Sequence, residues 1–284
     1  MQTLSLSMQQ IEQWQRDGYL LVIGLFETAE IDELREHFMR MQAEALDETS
    51  PLRQYYQPKS LDEADGDMLQ HYPRVMHPHR FDELSMKQML DARVGAVLES
   101  LMGAEPIAAQ SMFYFKPMGA RGQALHQDNF YLNVRPSTCV AAWLAIDDAD
   151  PENGGMNVVP RSHEGGVLCP QMADMTQSFT TEDVGVPAGL EAVPARMKAG
   201  DVLFFGGETI HGSTPNSSKD RFRRAFICHY VPATTTAMGA GYFPLRHFDG
   251  SFFEAQKLEG HLNTCGAEDW ASYQQLREGF LARN

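Results

Sequence analysis

Two short polar segments, set in apolar strand-like sequence and far apart in the chain, restrict what this sequence can fold into. The first reads Gly122-Gln123-Ala124-Leu125-His126-Gln127-Asp128-Asn129. The second reads Phe204-Phe205-Gly206-Gly207-Glu208-Thr209-Ile210-His211-Gly212-Ser213, and an arginine-rich stretch from Arg221 to Tyr230 follows it. Side chains two apart on a strand face the same way. His126 and Asp128 therefore share a face in a strand over 124–128, and Gln127 turns away. His211 joins them only if its strand folds beside the first. A fold that aligns strands distant in sequence is required.

The rest of the chain fits that requirement. Ser7 caps a helix through Trp14, and Asp17-Gly18 ends it before a strand over Tyr19 to Val22. Thr28 caps a second helix, with Ile31, Leu34, Phe38 and Met41 as its apolar stripe. Residues 45–80 are polar and irregular, and a further helix is expected over Glu83 to Met102. From Ile107 the period changes to strands: Ala109 to Lys116, Ala124 to Asp128, Thr138 to Ile146, Met156 to Pro160, Val202 to Phe205 and Ala225 to Val231. Short strands separated by Gly, Pro and Asn turns indicate a sandwich or barrel. The expected fold class is mainly β with flanking helices, built on a double-stranded β-helix (a jelly roll, cupin-like). One domain is expected over 1–284. It divides into N-terminal helices and a lid loop (1–104), a catalytic jelly-roll core (105–235) and a C-terminal extension packed on the core (236–284). In that extension Trp270, Tyr273, Leu276 and Phe280 stand at helical spacing.

Two imidazoles and one carboxylate on one face are the ligand set of mononuclear non-haem iron(II) sites, which keep the remaining positions open. His126, Asp128 and His211 are the candidate metal ligands. A second His-x-Asp, His247-Phe248-Asp249, has no later histidine followed by an arginine strand and reads as a turn. Composition sets the surroundings. A formal net charge of −15 repels nucleic acid and anionic membrane surfaces. No apolar run reaches the roughly eighteen residues of a spanning helix, and Met1 to Gln10 lacks a signal-peptide core. The four cysteines have no CxxC spacing. Cys139 and Cys228 sit in apolar runs and read as buried reduced thiols, which fits a reducing cytoplasm. A small-molecule substrate, no nucleic-acid or membrane partner, and a monomer or homodimer are expected.

Several runs together resemble the phytanoyl-CoA dioxygenase family. They are His126-Gln127-Asp128-Asn129-Phe130-Tyr131, Ala142-Trp143-Leu144-Ala145-Ile146-Asp147, and Asn153-Gly154-Gly155-Met156-Asn157-Val158-Val159-Pro160 with Ser162-His163. His211-Gly212-Ser213 with Asn216, Arg223-Arg224-Ala225, and Asp17-Gly18-Tyr19-Leu20-Leu21-Val22 complete the pattern, which covers most of residues 8–235. The resemblance implies 2-oxoglutarate as cosubstrate and dioxygen as oxidant, with succinate and carbon dioxide released and a C–H bond hydroxylated. Because Asp128 is present, hydroxylation is expected rather than halogenation. The resemblance also implies that Arg223 grips the distal carboxylate of the cosubstrate, as a guanidinium can with two parallel hydrogen bonds. Arg221 and Arg224 compete for that role, and strand alternation turns Arg224 toward solvent. By the same resemblance Ser213 bonds that carboxylate, Met112 and Trp143 line its pocket, Gln127 touches the cosubstrate through backbone or side chain, and Arg74 enters the site from an upstream loop. Met112 and Trp143 also suit plain core.

The segment from Gln70 to Arg80 holds His71, Tyr72, Arg74, His77, His79 and Arg80. It is expected to form a lid that meets a polar or anionic substrate, or else a solvated loop that neutralises nearby acidic surface. Two other readings use the same ligands: a cupin-like metalloenzyme that does not use 2-oxoglutarate, and a catalytically silent binding protein.

Overall fold

The computed structural model describes residues 6–260 together with Cys265 and Glu278. The helical spacing noted over Trp270 to Phe280 lies outside the described residues. Two antiparallel sheets face each other and helices cover the outer face of the larger. Its strands run in the order β1 (Tyr19–Val22), β10 (Val202–Gly206), β5 (Val140–Ala145), β12 (Ala225–Pro232), β3 (Pro106–Tyr114), β14 (Leu245–Arg246) and β15 (Phe252–Phe253), with β2 (Val75–Met76) also paired to β3. The smaller sheet runs β4 (Gln123–His126), β11 (His211–Ser213), β6 (Met156–Val158) and β9 (Val193–Pro194). Two minor pairs are β13 (Ala237–Gly239) with β16 (Gln256–Leu258), and β7 (Gln171–Met172) with β8 (Glu182–Asp183). This is a jelly roll, and its larger sheet draws strands from both sides of 105–235.

The strands of the large sheet are apolar on both faces because both faces are covered. Alternation sorts them. Ala142, Leu144, Phe204, Phe226 and Cys228 point outward to the helices. Ala141, Trp143, Ala145, Leu203, Phe205 and Ile227 point inward to the small sheet. The main covering helix is α2 (Thr28–Ala45), whose Ile31, Leu34, Phe38 and Met41 are buried as the apolar spacing requires. Phe38 stacks on Phe113 of β3 with ring centroids 3.8 Å apart. Each buried aromatic of this kind contributes on the order of 2 kcal/mol through area removed from water. The helix α1 (Met8–Asp17) begins at a capping box between Ser7 and Gln10 and ends at Gly18, which adopts φ +78°. Cys139 and Cys228 are buried and free, as expected.

Several local expectations are corrected. Glu27, not Thr28, caps α2. The helix expected over 83–102 is two, α4 (Glu83–Met89) and α5 (Ala92–Met102). The Asp91 carboxylate accepts the Arg93 N–H at 2.8 Å and starts a new helix there. The strand expected over 124–128 ends at His126. Asp128 opens a short helix, α6 (Asp128–Leu132), with Gln127 as its N-cap. A further short helix, α3 (Met68–His71), lies in the segment read as irregular. Cys169 and Cys265, left unassigned by their spacing, are joined as a disulfide with Cα atoms 4.9 Å apart. His247 and Asp249 form a turn, with His247 paired to Glu105 at 2.6 Å.

Candidate active site

The cavity between the two sheets holds about 390 Å³. Its inner end is set by the pairing of β4 with β11, whose register places His211 opposite His126. Their rings lie 4.2 Å apart between centroids. Gly212 permits this approach, since a Cβ there would stand 2.8 Å from Gln123 O. Asp128 reaches the same point from the start of α6, with Oδ1 3.6 Å from His126 Nε2 and 3.5 Å from His211 Nε2. The chain thus presents His126 and Asp128 together by turning at Gln127, not by strand alternation.

The donor set fits iron(II). The ligand atoms of His126, Asp128 and His211 lie within 4.8 Å of one another and all three residues are buried. His126 Nδ1 sits 2.8 Å from Ala124 O, and His211 Nδ1 sits 2.9 Å from Thr209 O. A carbonyl is only an acceptor, so each Nδ1 carries the proton and each Nε2 offers a lone pair to the centre. Burial, with His211 nearby, lowers His126 to about 4, which keeps it a neutral donor at pH 7. Burial alone would raise Asp128, but His211 and His229 overcome it and hold the carboxyl well below its ordinary range.

His229, on β12, was not expected here. It is 2% exposed, and its Nε2 lies 2.9 Å from Asp128 Oδ2. Oδ2 is thereby engaged, and Oδ1 faces the two ligand histidines. Gln127 is absent from this cavity. Its buried amide donates to Gly166 O and Glu208 O and accepts from Leu168 N, which fixes the turn between His126 and Asp128 from behind.

Farther along the cavity stands Arg223, 3% exposed. Its Nε donates to Gly154 O at 3.0 Å and its guanidinium lies 5.2 Å from the Trp143 ring centroid. Burial lowers it to about 10, so it stays charged at neutral pH, and no carboxylate pairs with it among the described residues. Its neighbours are committed elsewhere: Arg221 pairs with Asp150 and Glu152, and Arg224 pairs with Asp147 at 2.7 Å instead of facing open solvent. Met112 and Trp143 line the cavity from the large sheet, and Ser213 lines it from the small one.

Arg74 stands at the outer part, bonded to Tyr114 Oη at 3.2 Å and lying over the Phe179 ring at 4.8 Å. The rest of the 70–80 segment is docked rather than lid-like. β2 pairs with β3, His71 holds Lys59 O, His79 holds Ser111 Oγ, and Arg80 holds Gly241 O and Phe243 O. Only Arg74 and Met76 of this segment face the cavity.

Solved structures share the fold. The fold is shared with the non-haem α-ketoglutarate-dependent carbocyclase SnoK of nogalamycin biosynthesis, at a TM-score of 0.62 and 20% identity over 81% of this chain and 86% of SnoK. The chain belongs to the phytanoyl-CoA dioxygenase family, whose model matches residues 14–225. Phytanoyl-CoA dioxygenase 1 of Oryza sativa subsp. japonica is 32% identical over 154 residues, 54% of either chain. Ectoine dioxygenase of Stutzerimonas stutzeri (strain A1501) is 25% identical over 224 residues, 72% of this chain and 70% of the relative. The match spans about half the length of the two plant relatives.

Proposed function

We propose that this chain is an iron(II)- and 2-oxoglutarate-dependent dioxygenase that hydroxylates an unactivated C–H bond of a small-molecule metabolite, with succinate and carbon dioxide as coproducts. One observation carries the reading: a buried His-Asp-His cluster shares its cavity with Arg223, a buried cation with no carboxylate partner among the described residues. An unpaired buried charge is costly unless a ligand supplies the counterion, and a dicarboxylic 2-oxo acid supplies it while chelating the metal with its other end.

In this reading His126, Asp128 and His211 hold iron(II), which when bound supplies the dioxygen chemistry that couples decarboxylation of the 2-oxo acid to C–H oxidation. Arg223 and Ser213 orient the distal carboxylate, and Met112 and Trp143 form a dry wall beside it. His229 holds Asp128 Oδ2 so that one oxygen remains for the metal. Gln127 acts by fixing the turn, not by touching the cosubstrate with its side chain. Arg74 stands where substrate would enter, over the Phe179 ring, and Tyr131 and Tyr242 also line the cavity. The cavity volume, near the low end of ligand sites at roughly 300–1,000 Å³, suits a small substrate. The family relation to ectoine dioxygenase supports a small-molecule substrate. No helix among the described residues is long and apolar enough to cross a membrane.

The test is anaerobic titration of the protein with iron(II) and then 2-oxoglutarate. A weak visible charge-transfer band is expected in the wild type and not in His126→Ala. Iron binding without a band would remove 2-oxoglutarate from the reading and leave a metalloenzyme of another kind.

A further inference from the structure

A buried lysine stands behind Ser213. Lys116 is 3% exposed and follows β3 at a backbone turn with φ +41°. Its stem fits because residue 154 is glycine, where a Cβ would stand 2.6 Å from Lys116 Cε. Lys116 Nζ donates to Ser213 Oγ at 2.8 Å and to Thr214 O at 2.6 Å. Burial and the adjacent Arg223 both disfavour its charge, and no carboxylate offsets them.

The consequence falls on Ser213. Its Oγ also receives the backbone N–H of Gln123 at 3.2 Å. A hydroxyl has two lone pairs and one proton. Both lone pairs are taken, by Lys116 and by Gln123. The proton is the one hydrogen bond left to make, no described protein group accepts it, and Ser213 lines the cavity beside Arg223. Were Lys116 absent, the hydroxyl could rotate and accept from water or from Arg223 as readily as donate.

We infer that Lys116 is a positioning residue for the cosubstrate: by occupying a lone pair of Ser213 Oγ it fixes that hydroxyl as a donor into the cavity, and Ser213 with Arg223 then forms a socket selective for the distal carboxylate of a 2-oxo dicarboxylic acid. The inference rests on the reading that this carboxylate meets Arg223. A plain alternative is a staple, with Lys116 only tying the end of β3 to the Ser213–Thr214 loop.

The experiment compares two acids on the iron-loaded, anaerobic full chain: 2-oxoglutarate, and 2-oxopentanoate, which has the same carbon chain without the distal carboxylate. Lys116→Met is expected to weaken 2-oxoglutarate about tenfold, the scale of one charge-assisted hydrogen bond, and to leave 2-oxopentanoate unchanged. Ser213→Ala is expected to show a similar selective loss, and the double variant to bind no worse than Ser213→Ala alone, because Lys116 acts through Ser213. Equal weakening of both acids by Lys116→Met is the staple's signature and overturns the inference. So does wild-type affinity in Lys116→Met, and so does full multiplication of the two losses in the double variant. If Lys116→Met melts below the assay temperature, Lys116→Gln takes its place and the same selectivity decides. Should the wild type bind both acids alike, the cosubstrate reading itself falls. If Arg223→Met loses the preference while Lys116→Met keeps it, only the inference falls.

Discussion

Replacing Arg223 with Met should separate ligand binding from folding in opposite directions. The side chain is 3% exposed, with one hydrogen bond, to Gly154 O at 3.0 Å, and one ring contact, to Trp143 at 5.2 Å. In the bound state it would grip a carboxylate, and removing one member of a buried charged pair costs about 2–5 kcal/mol. At about 1.4 kcal/mol per factor of ten, 2-oxoglutarate binding weakens by roughly 30-fold to several thousand-fold. In the free protein the balance differs. Methionine forfeits about 1 kcal/mol for the bond to Gly154 O and about 1–2 kcal/mol for the contact with Trp143. It also removes a desolvated cation with no counterion, whose penalty is several kcal/mol. The free variant should therefore melt no lower than the wild type by more than a few degrees. Calorimetric titration of 2-oxoglutarate into the anaerobic iron form, with melts of the free protein, reads both quantities. Arg223→Lys keeps the charge but not the planar fork and should recover only part of the affinity. Binding within threefold of wild type in Arg223→Met would refute the assignment, and a collapse in melting temperature would show that Arg223 is a structural member instead.

Two further predictions concern other buried groups. His229→Leu removes the group that holds Asp128 Oδ2 and should cost about 10–100-fold in iron affinity or turnover, read by anaerobic metal titration, with secondary structure unchanged by circular dichroism. His79 is lowered to about 3, chiefly by burial and then by His77. The unfolded chain therefore binds a proton below about pH 6.5 that the folded chain refuses, so stability is complete above that pH and falls toward pH 3 by about 1.4 kcal/mol per pH unit for this group. His79→Phe should make urea melts at pH 5 and pH 7 more nearly equal, and an undiminished difference would show that the acid sensitivity lies elsewhere.

The candidate metal cluster was legible because metal chemistry leaves a sparse pattern: two histidines and a carboxylate outside any apolar period, with the right neighbours. Strand alternation is not what brings His126 and Asp128 together. Strand alternation would share a face, but the chain turns at Gln127 into α6, and no local feature of Gln127-Asp128-Asn129 marks that change. Arg223 was chosen by the family resemblance and by strand alternation, and the structure adds that Arg221 and Arg224 are paired with acids distant in sequence. His229 and Lys116 were missed for a different reason. His229 sits inside the apolar run Ala225–Pro232, where a histidine reads as core, and Lys116 sits at a strand end before Pro117, where a lysine reads as surface. His229 acts on Asp128 of α6 and Lys116 acts on Ser213 of β11, and in each case only the tertiary packing brings the two together. The split at Asp91, not expected from the sequence, does have a local signal: an N-cap residue type inside an otherwise helical pattern. The Cys169–Cys265 link, 96 residues apart, leaves no local trace.

One short strand does most to set what the site can bind. β11 is three residues long, with His211 at one end and Ser213 at the other. Against β6 it runs in plain register, so His211 and Ser213 face the same side, with Cα atoms about 7 Å apart by strand rise. Against β4 the register slips between them. His126 stands opposite His211 but Gln123 opposite Ser213, an extra residue that bends β4 and delivers the Gln123 N–H onto Ser213 Oγ. The His211 end and the Ser213 end of the cavity are thus fixed to each other by three consecutive residues rather than by loops that move independently. A ligand that chelates at His211 and ends in a carboxylate at Ser213 must have a short, set length. Longer or shorter 2-oxo dicarboxylic acids should lose affinity on either side of 2-oxoglutarate, and equal binding across such a series would mean that the two ends of β11 do not act on one molecule.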